Sequence, residues 1–185
     1  MSKGKLFVIS GASGVGKSTV LAQVMSRRED LRFSVSATTR PPRPTEVEGK
    51  DYYFVSHDCF RQMILQDQFL EYDEHMGNFY GTPVGQLEDK LNDFHVVLDV
   101  EPVGAFNVRA KRPDAVLIFV APPSRQILEQ RLRGRGDTDE EQIRLRLARA
   151  DWEMEQSKRY DYVVINDQVN TCADRILHII ADKAD

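Results

Sequence analysis

Residues 5–19 read "KLFVISGASGVGKST", from Lys5 to Thr19. An apolar run, Leu6 to Ile9, leads into a glycine loop, and the loop opens onto "STVLAQVMSRR", whose apolar residues recur at helical spacing. Within it, "GASGVGKS" (Gly11–Ser18) fills every fixed position of the phosphate-loop pattern GxxxxGK[ST]. In such a loop the main-chain N–H groups across Gly11, Ala12, Ser13, Gly14, Val15 and Gly16 turn inward around phosphate oxygens. Those of Lys17, Ser18 and Thr19 sit at a helix N-terminus, whose dipole favours an anion. Lys17 reaches the β and γ phosphates, and the Ser18 hydroxyl can ligate Mg2+. A chance glycine-rich turn is the plainer reading, but the strand before and the helix after count against it. The segment predicts a nucleoside triphosphate site and leaves the acceptor of the phosphoryl group open.

Working outward, short apolar runs alternate with longer helical patterns. "KLFVIS", "HVVLDV", "AVLIFVA" and "DYVVIN" read as buried strands, rich in Val, Ile and Phe. "SRQILEQRLRG" and "EEQIRLRLARADWEMEQ" join "STVLAQVMSRR" as helices. Alternation of this kind predicts an α/β fold with a mainly parallel sheet flanked by helices and ligands at the carboxyl ends of the strands. Two segments break the rhythm. Residues 33–83 turn to short β-like pieces around one helix, "HDCFRQMILQDQ", which reads as a small mixed α/β insertion. "RLRGRGDTDEEQIRLRLARA" is glycine-broken and dense in both charge signs, and reads as a flap whose glycines either form a hinge or end the preceding helix, with Thr138 or Asp139 capping the helix that follows.

The chain has 185 residues, 41% hydrophobic and 29% charged, with net charge -4. That suits one soluble domain and argues against a broad nucleic-acid-binding face. No apolar stretch approaches the length of a membrane span, and the N-terminal run is too short for a signal-peptide core. Cys59 and Cys172 form no CxxC pair, and the four histidines lack metal-ligand spacing. A cytoplasmic protein without membrane or nucleic-acid partners is expected, monomeric or homo-oligomeric. Trp152, on the long helix, reads as a packing residue.

A second anion site is legible in "SATTRPPRPTEVEGKDYYF", Ser36–Phe54. Arg40 and Arg43 stand among prolines that stiffen the chain, and a guanidinium fork matches phosphate oxygens. The hydroxyl of Tyr52 or Tyr80 would complete a grip on a monophosphate. Two solvated surface arginines are the bland alternative.

Together with "FLEY", "GNFYGTP", "FVAPPS", "RLRGRG" and "VVIND", these stretches closely resemble guanylate kinase, over essentially the whole chain. The resemblance implies ATP:GMP phosphotransfer, with dGMP as a further acceptor and Mg2+ as cofactor. It implies a phosphate-loop core (1–32, 84–125 and 160–185), a GMP-binding region (33–83) and a helical lid (126–159). Arg40, Arg43, Tyr52 and Tyr80 would hold the GMP phosphate, while Ser36, Glu71 and Thr82 would read guanine. Lys17, Arg40 and the lid arginines Arg135 and Arg146 would serve catalysis, with Arg131 as a further lid arginine; Asn166 would lie near adenine. Guanine offers N1–H and N2–H2 as adjacent donors to one carboxylate, whereas adenine presents a bare acceptor there, so Glu71 in that place discriminates strongly. Asp99, at the end of "HVVLD", either holds a metal-bound water or touches the guanine amino group. The family often shows a second Asp at Glu101 and Gln-Gly where this chain has Val103-Gly104. Three rivals are a sugar-phosphate kinase, a non-catalytic scaffold module, and a bare ATPase or nucleotide switch.

Overall fold

The computed structural model describes residues 4–75, 77–134 and 139–184. Its centre is a five-stranded sheet built from β1 (Leu6–Gly11), β2 (Leu31–Phe33), β7 (His95–Asp99), β8 (Val116–Ala121) and β9 (Tyr162–Ile165). The order across the sheet is β2-β7-β1-β8-β9, and every neighbouring pair runs parallel. Leu6, Phe7, Val8 and Ile9 are all fully buried, as are Val96, Val97 and Leu98 and Leu117 to Ala121. Such continuous apolar runs belong to a sheet covered on both faces. One face packs on α1 (Lys17–Met25), α5 (Arg125–Arg133), α6 (Glu140–Gln156) and α7 (Val169–Ala184), the other on α3 (Val84–Leu91) and α4 (Pro102–Lys111). Because β1 lies between β7 and β8, their carboxyl ends open a crevice beside the glycine loop, where ligands bind in sheets of this kind.

The segment that breaks the βα rhythm builds its own sheet. It comprises β3 (Ala37–Thr38), β4 (Tyr53–Phe54), β5 (Phe69–His75) and β6 (Asn78–Pro83), with α2 (His57–Leu65) against it. The order is β4-β3-β6-β5. The run "RFSVSA" therefore splits: its start joins the central sheet as β2 and its end joins the second sheet as β3. The second sheet has its own core, in which Phe60 is fully buried and stacks on Phe69 and Phe79 at centroid distances of 4.3 and 5.3 Å. Lys111 Nζ donates to the Phe69 carbonyl at 3.0 Å and ties α4 of the core to β5.

Ser56 caps α2, Ser124 caps α5 and Asp139 caps α6, each side chain accepting an N–H of the first turn. Thr138 lies outside the described residues, and Gly134, which ends α5, has ordinary helical backbone. Trp152 is 47% exposed, which corrects the packing expectation. The buried stripe of α6 runs through Ile143, Leu147, Ala150 and Glu153, and Trp152 falls beside that stripe on the solvent side. Among the described residues no helix is long and apolar enough to cross a membrane, and Cys59 and Cys172 are unpaired thiols.

Candidate functional site

The loop after β1 turns at Gly14 and Gly16, whose φ values of +83° and +92° lie in the left-handed region that side chains other than glycine rarely adopt. Gly16 stands at the N-cap of α1, so Lys17 and Ser18 open that helix. Three distant elements clamp the loop. From the end of β9, Asn166 Nδ2 donates to the Val15 carbonyl at 2.8 Å. From α5, Arg131 Nη1 donates to the carbonyls of Val15 at 3.3 Å and Asn166 at 3.0 Å. From α6, Glu153 accepts the Ser13 N–H at 2.6 Å.

Lys17 forms an ion pair with Asp99 at the carboxyl end of β7. Burial works against the Lys17 charge, but Asp99 and, more weakly, Glu101 and Glu153 outweigh it and hold its pKa above the usual lysine value. Lys17 is therefore a fixed cation at neutral pH.

A cavity of about 350 Å3 separates the loop from the second sheet. Lys17, Ser18, Asp99 and Glu101 line its core side, and Ser36, Tyr52, Glu71, Asp73 and Tyr80 its far side. The cross-strand register places Glu71 opposite Thr82. Thr82 is fully buried below the cavity surface, and its hydroxyl donates to Glu71 Oε1 at 2.6 Å. Glu71 itself is 6% exposed. Burial raises its pKa, the Thr82 hydrogen bond pulls the other way, and Asp73 adds to the rise. Its second oxygen faces α4, where a Cβ added to Gly104 would stand 2.8 Å from Oε2. Burial, with Asp99 and Tyr80 nearby, also raises the Tyr52 phenol and keeps it a donor at neutral pH.

The arginines of the proline-rich segment are placed differently from each other. Arg40 Nη2 donates to both carboxylate oxygens of Glu46 at 2.8 and 2.9 Å, and Nη1 to the Pro41 carbonyl at 2.7 Å. Its guanidinium carbon lies 5.5 Å from the Tyr52 ring centroid, and Tyr52 meets Tyr80 edge-on at 6.1 Å. Arg43 is exposed, its N–H donating to Glu46 Oε2 at 2.8 Å. Neither arginine lines the cavity wall. Of the flap arginines, Arg135 lies outside the described residues, and Arg146 is half-buried on α6. Arg131 does not face this cavity: it lines a second one, of about 280 Å3, with Gly14, Val15, Gly16, Thr19, Asn166, Asp167 and Val169.

Two functional candidates were not legible in the sequence. Asp73 follows Glu71 by two residues on β5 and shares its face, a relation that strand alternation gives once β5 is recognised. Glu153 meets the loop across 140 residues of chain, and no local signal announces it.

Comparison with known proteins agrees with this geometry. The guanylate kinase family model matches residues 3–183. A guanylate kinase of Trichodesmium erythraeum is 48% identical over 170 residues, covering 91% of this chain and 91% of that protein. One from Thermus thermophilus is 46% identical over 179 residues, 96% of this chain and 81% of the relative. The crystal structure of guanylate kinase from Anaplasma phagocytophilum superposes with a TM-score of 0.81 at 34% identity, covering 99% of this chain and 87% of that one. This chain belongs to the guanylate kinase family.

Proposed function

We propose that this protein transfers the γ-phosphoryl group of ATP to GMP, giving ADP and GDP. The observation that carries the reading is the single cavity walled by the phosphate-loop lysine on one side and by the buried Glu71–Thr82 pair on the other. A buried carboxylate held by a hydroxyl is built for a ligand edge with adjacent donors, which the N1–H and N2–H2 groups of guanine supply. The Thr82 hydroxyl donates to Glu71, so guanine O6 would draw that donor away or take another.

In this reading residues 33–83 form the acceptor-binding region and residues 126–159 the lid over the core. Ser36 joins Glu71 and Thr82 around the base. Arg40 and Arg43, with the hydroxyls of Tyr52 and Tyr80, hold the acceptor phosphate. Of the loop amides, those of Ala12, Ser13 and Val15 donate within the protein. The phosphate grip expected of them falls to Gly14, Gly16, Lys17, Ser18 and Thr19, whose main-chain amides would hold the donor phosphates, and Lys17 is aligned on their bridge by its pairing with Asp99. The Asn166 side-chain oxygen is buried without a partner among the described residues, and an exocyclic amino group such as that of adenine would satisfy it. Arg131, beside Asn166, belongs to this donor side. Arg146 on α6 is the lid cation assigned to the transferring group, and Arg135, outside the described residues, is assigned the same role by resemblance alone.

The acceptor oxygen is already anionic at neutral pH, so alignment and positive charge accomplish the transfer without a strong general base. Among the described residues no cluster of three ligating side chains would hold a metal unaided. That fits Mg2+, which binds through substrate phosphates, water and one or two protein oxygens. Here the Ser18 hydroxyl would ligate it directly and Asp99 through water, and when bound it neutralises charge on the transferring group. The two unpaired thiols suit a reducing cytoplasm.

The test is ADP release with ATP fixed and GMP, AMP, UMP and ribose bisphosphate supplied in turn. GMP-dependent release far above the others supports the proposal. Release independent of the acceptor would make the protein an ATPase.

A further inference from the structure

Glu153 is the least exposed carboxylate among the described residues, at 1%. It stands on the inner face of α6, one turn beyond Ala150, in a row that is otherwise apolar. Its Oε2 accepts the Ser13 N–H at 2.6 Å and its Oε1 accepts from Arg149 Nε at 2.9 Å. Arg149 Nη2 in turn stands 3.4 Å from Glu101 Oε2, on the wall of the acceptor cavity. One charged chain thus runs from the phosphate loop through Glu153 and Arg149 to the residue two beyond Asp99.

A carboxylate against a phosphate loop is electrostatically costly, because it repels the anion the loop is built to hold. Its cost is offset by the guanidinium beside it, and its short hydrogen bond fixes the direction of the Ser13 N–H. We propose that Glu153, neutralised by Arg149, is a positioning residue for the donor: it sets the phosphate-loop conformation and couples it to the placement of α6, the helix that carries Arg146. The inference rests on the reading of this loop as the ATP site. Burial pushes the Glu153 carboxyl up to about 6, with Glu101 adding to the rise and the Ser13 N–H and Arg149 opposing it. Lys17 from α1 and Tyr160 also feel its charge, and a carboxyl at about 6 is mostly ionised at neutral pH.

The experiment compares the full-length parent with Glu153→Ala, Glu153→Gln and Arg149→Gln. ADP affinity is read by calorimetry without acceptor, and initial rates are read with each substrate varied. Glu153→Ala should weaken ADP binding and raise KM for ATP by about tenfold or more, the usual weight of a lost charge-assisted hydrogen bond. KM for GMP should stay within about twofold, since Glu153 does not itself line the acceptor cavity and reaches its wall only through Arg149 and Glu101. Glu153→Gln keeps an oxygen for the Ser13 N–H and should recover most of the loss. Arg149→Gln removes a group that opposes the rise of the Glu153 carboxyl, so it is read well above neutral pH, where Glu153 keeps its charge and faces the donor phosphates without its counterion, and ADP affinity should fall. Equal losses on both substrates that follow the melting temperature, or unchanged ADP affinity in a folded Glu153→Ala variant, would overturn the proposal. If that variant does not fold, unchanged ADP affinity in Arg149→Gln overturns it instead. ADP binding needs no acceptor, so failure of the GMP reading would register separately, as a parent that binds ADP without GMP-dependent turnover.

Discussion

Replacing Glu71 by glutamine changes one atom of a side chain that is 6% exposed and already held by a neighbour. The Thr82 hydroxyl, now 2.6 Å from Oε1, can still donate to the amide oxygen. The second position becomes an NH2 group and faces the donors of guanine, where an acceptor is needed. The loss is one charge-assisted hydrogen bond in a site screened from water, about 1.5–3 kcal/mol, or about tenfold to a hundredfold in kcat/KM for GMP. It should appear in KM more than in kcat, because the base is held alike before and during transfer. Folding separates cleanly from function here. Glu71 has a raised pKa in the folded state, so its contribution to stability is greatest below its unfolded pKa and declines as pH rises through the folded one. At neutral pH a neutral amide should leave the melting temperature unchanged or higher. GMP use by the parent should also fall as pH drops through the raised Glu71 pKa, and the variant should lack that limb. The assay is coupled ADP release with GMP varied, across pH, beside thermal unfolding. A Glu71→Gln enzyme that uses GMP as well as the parent would refute the assignment of this carboxylate to guanine.

Three further outcomes are expected. Lys17→Met removes the cation paired with Asp99 and should lower kcat by about a hundredfold or more, with GMP binding by calorimetry retained. Gly104→Ala places a methyl group 2.8 Å from Glu71 Oε2, and displacement of that carboxylate should raise KM for GMP by about tenfold, while ADP affinity is unchanged. Phe60→Ala empties the centre of the second sheet's own aromatic core and should cost about 3–5 kcal/mol in urea unfolding. Its kinetic loss should fall on GMP rather than on ATP.

The donor loop was legible because everything it needs is contiguous: strand, glycines, lysine and helix follow one another from Leu6 to Met25. The strands of the central sheet were legible as unbroken apolar runs. Helices α3 and α4 escape such a reading, being 8 and 10 residues long with glycine or proline among their first positions. Helix α7 was missed too, although Cys172, Ile176 and Ile180 stand four residues apart and are all buried. The acceptor side was legible only in part. Residue types near Arg40 suggest an anion clamp, but its hold on Glu46 depends on how the loop folds back. Glu71 and Thr82 meet because of hairpin register, Gly104 because α4 crosses β5, and Glu153 because α6 lies over the loop. These are tertiary placements, which local pattern does not encode.

In the proposed function two anion sites stand face to face, main-chain amides for a triphosphate and arginines with tyrosines for a monophosphate. A crystal structure with GMP and a non-hydrolysable ATP analogue tests that most directly. It should show Arg40 released in part from Glu46, with Arg40, Arg43, Tyr52 and Tyr80 all on the GMP phosphate and that phosphate turned toward Lys17. A GMP phosphate bound elsewhere, with Arg40 still on Glu46 and Arg43 in solvent, would contradict it.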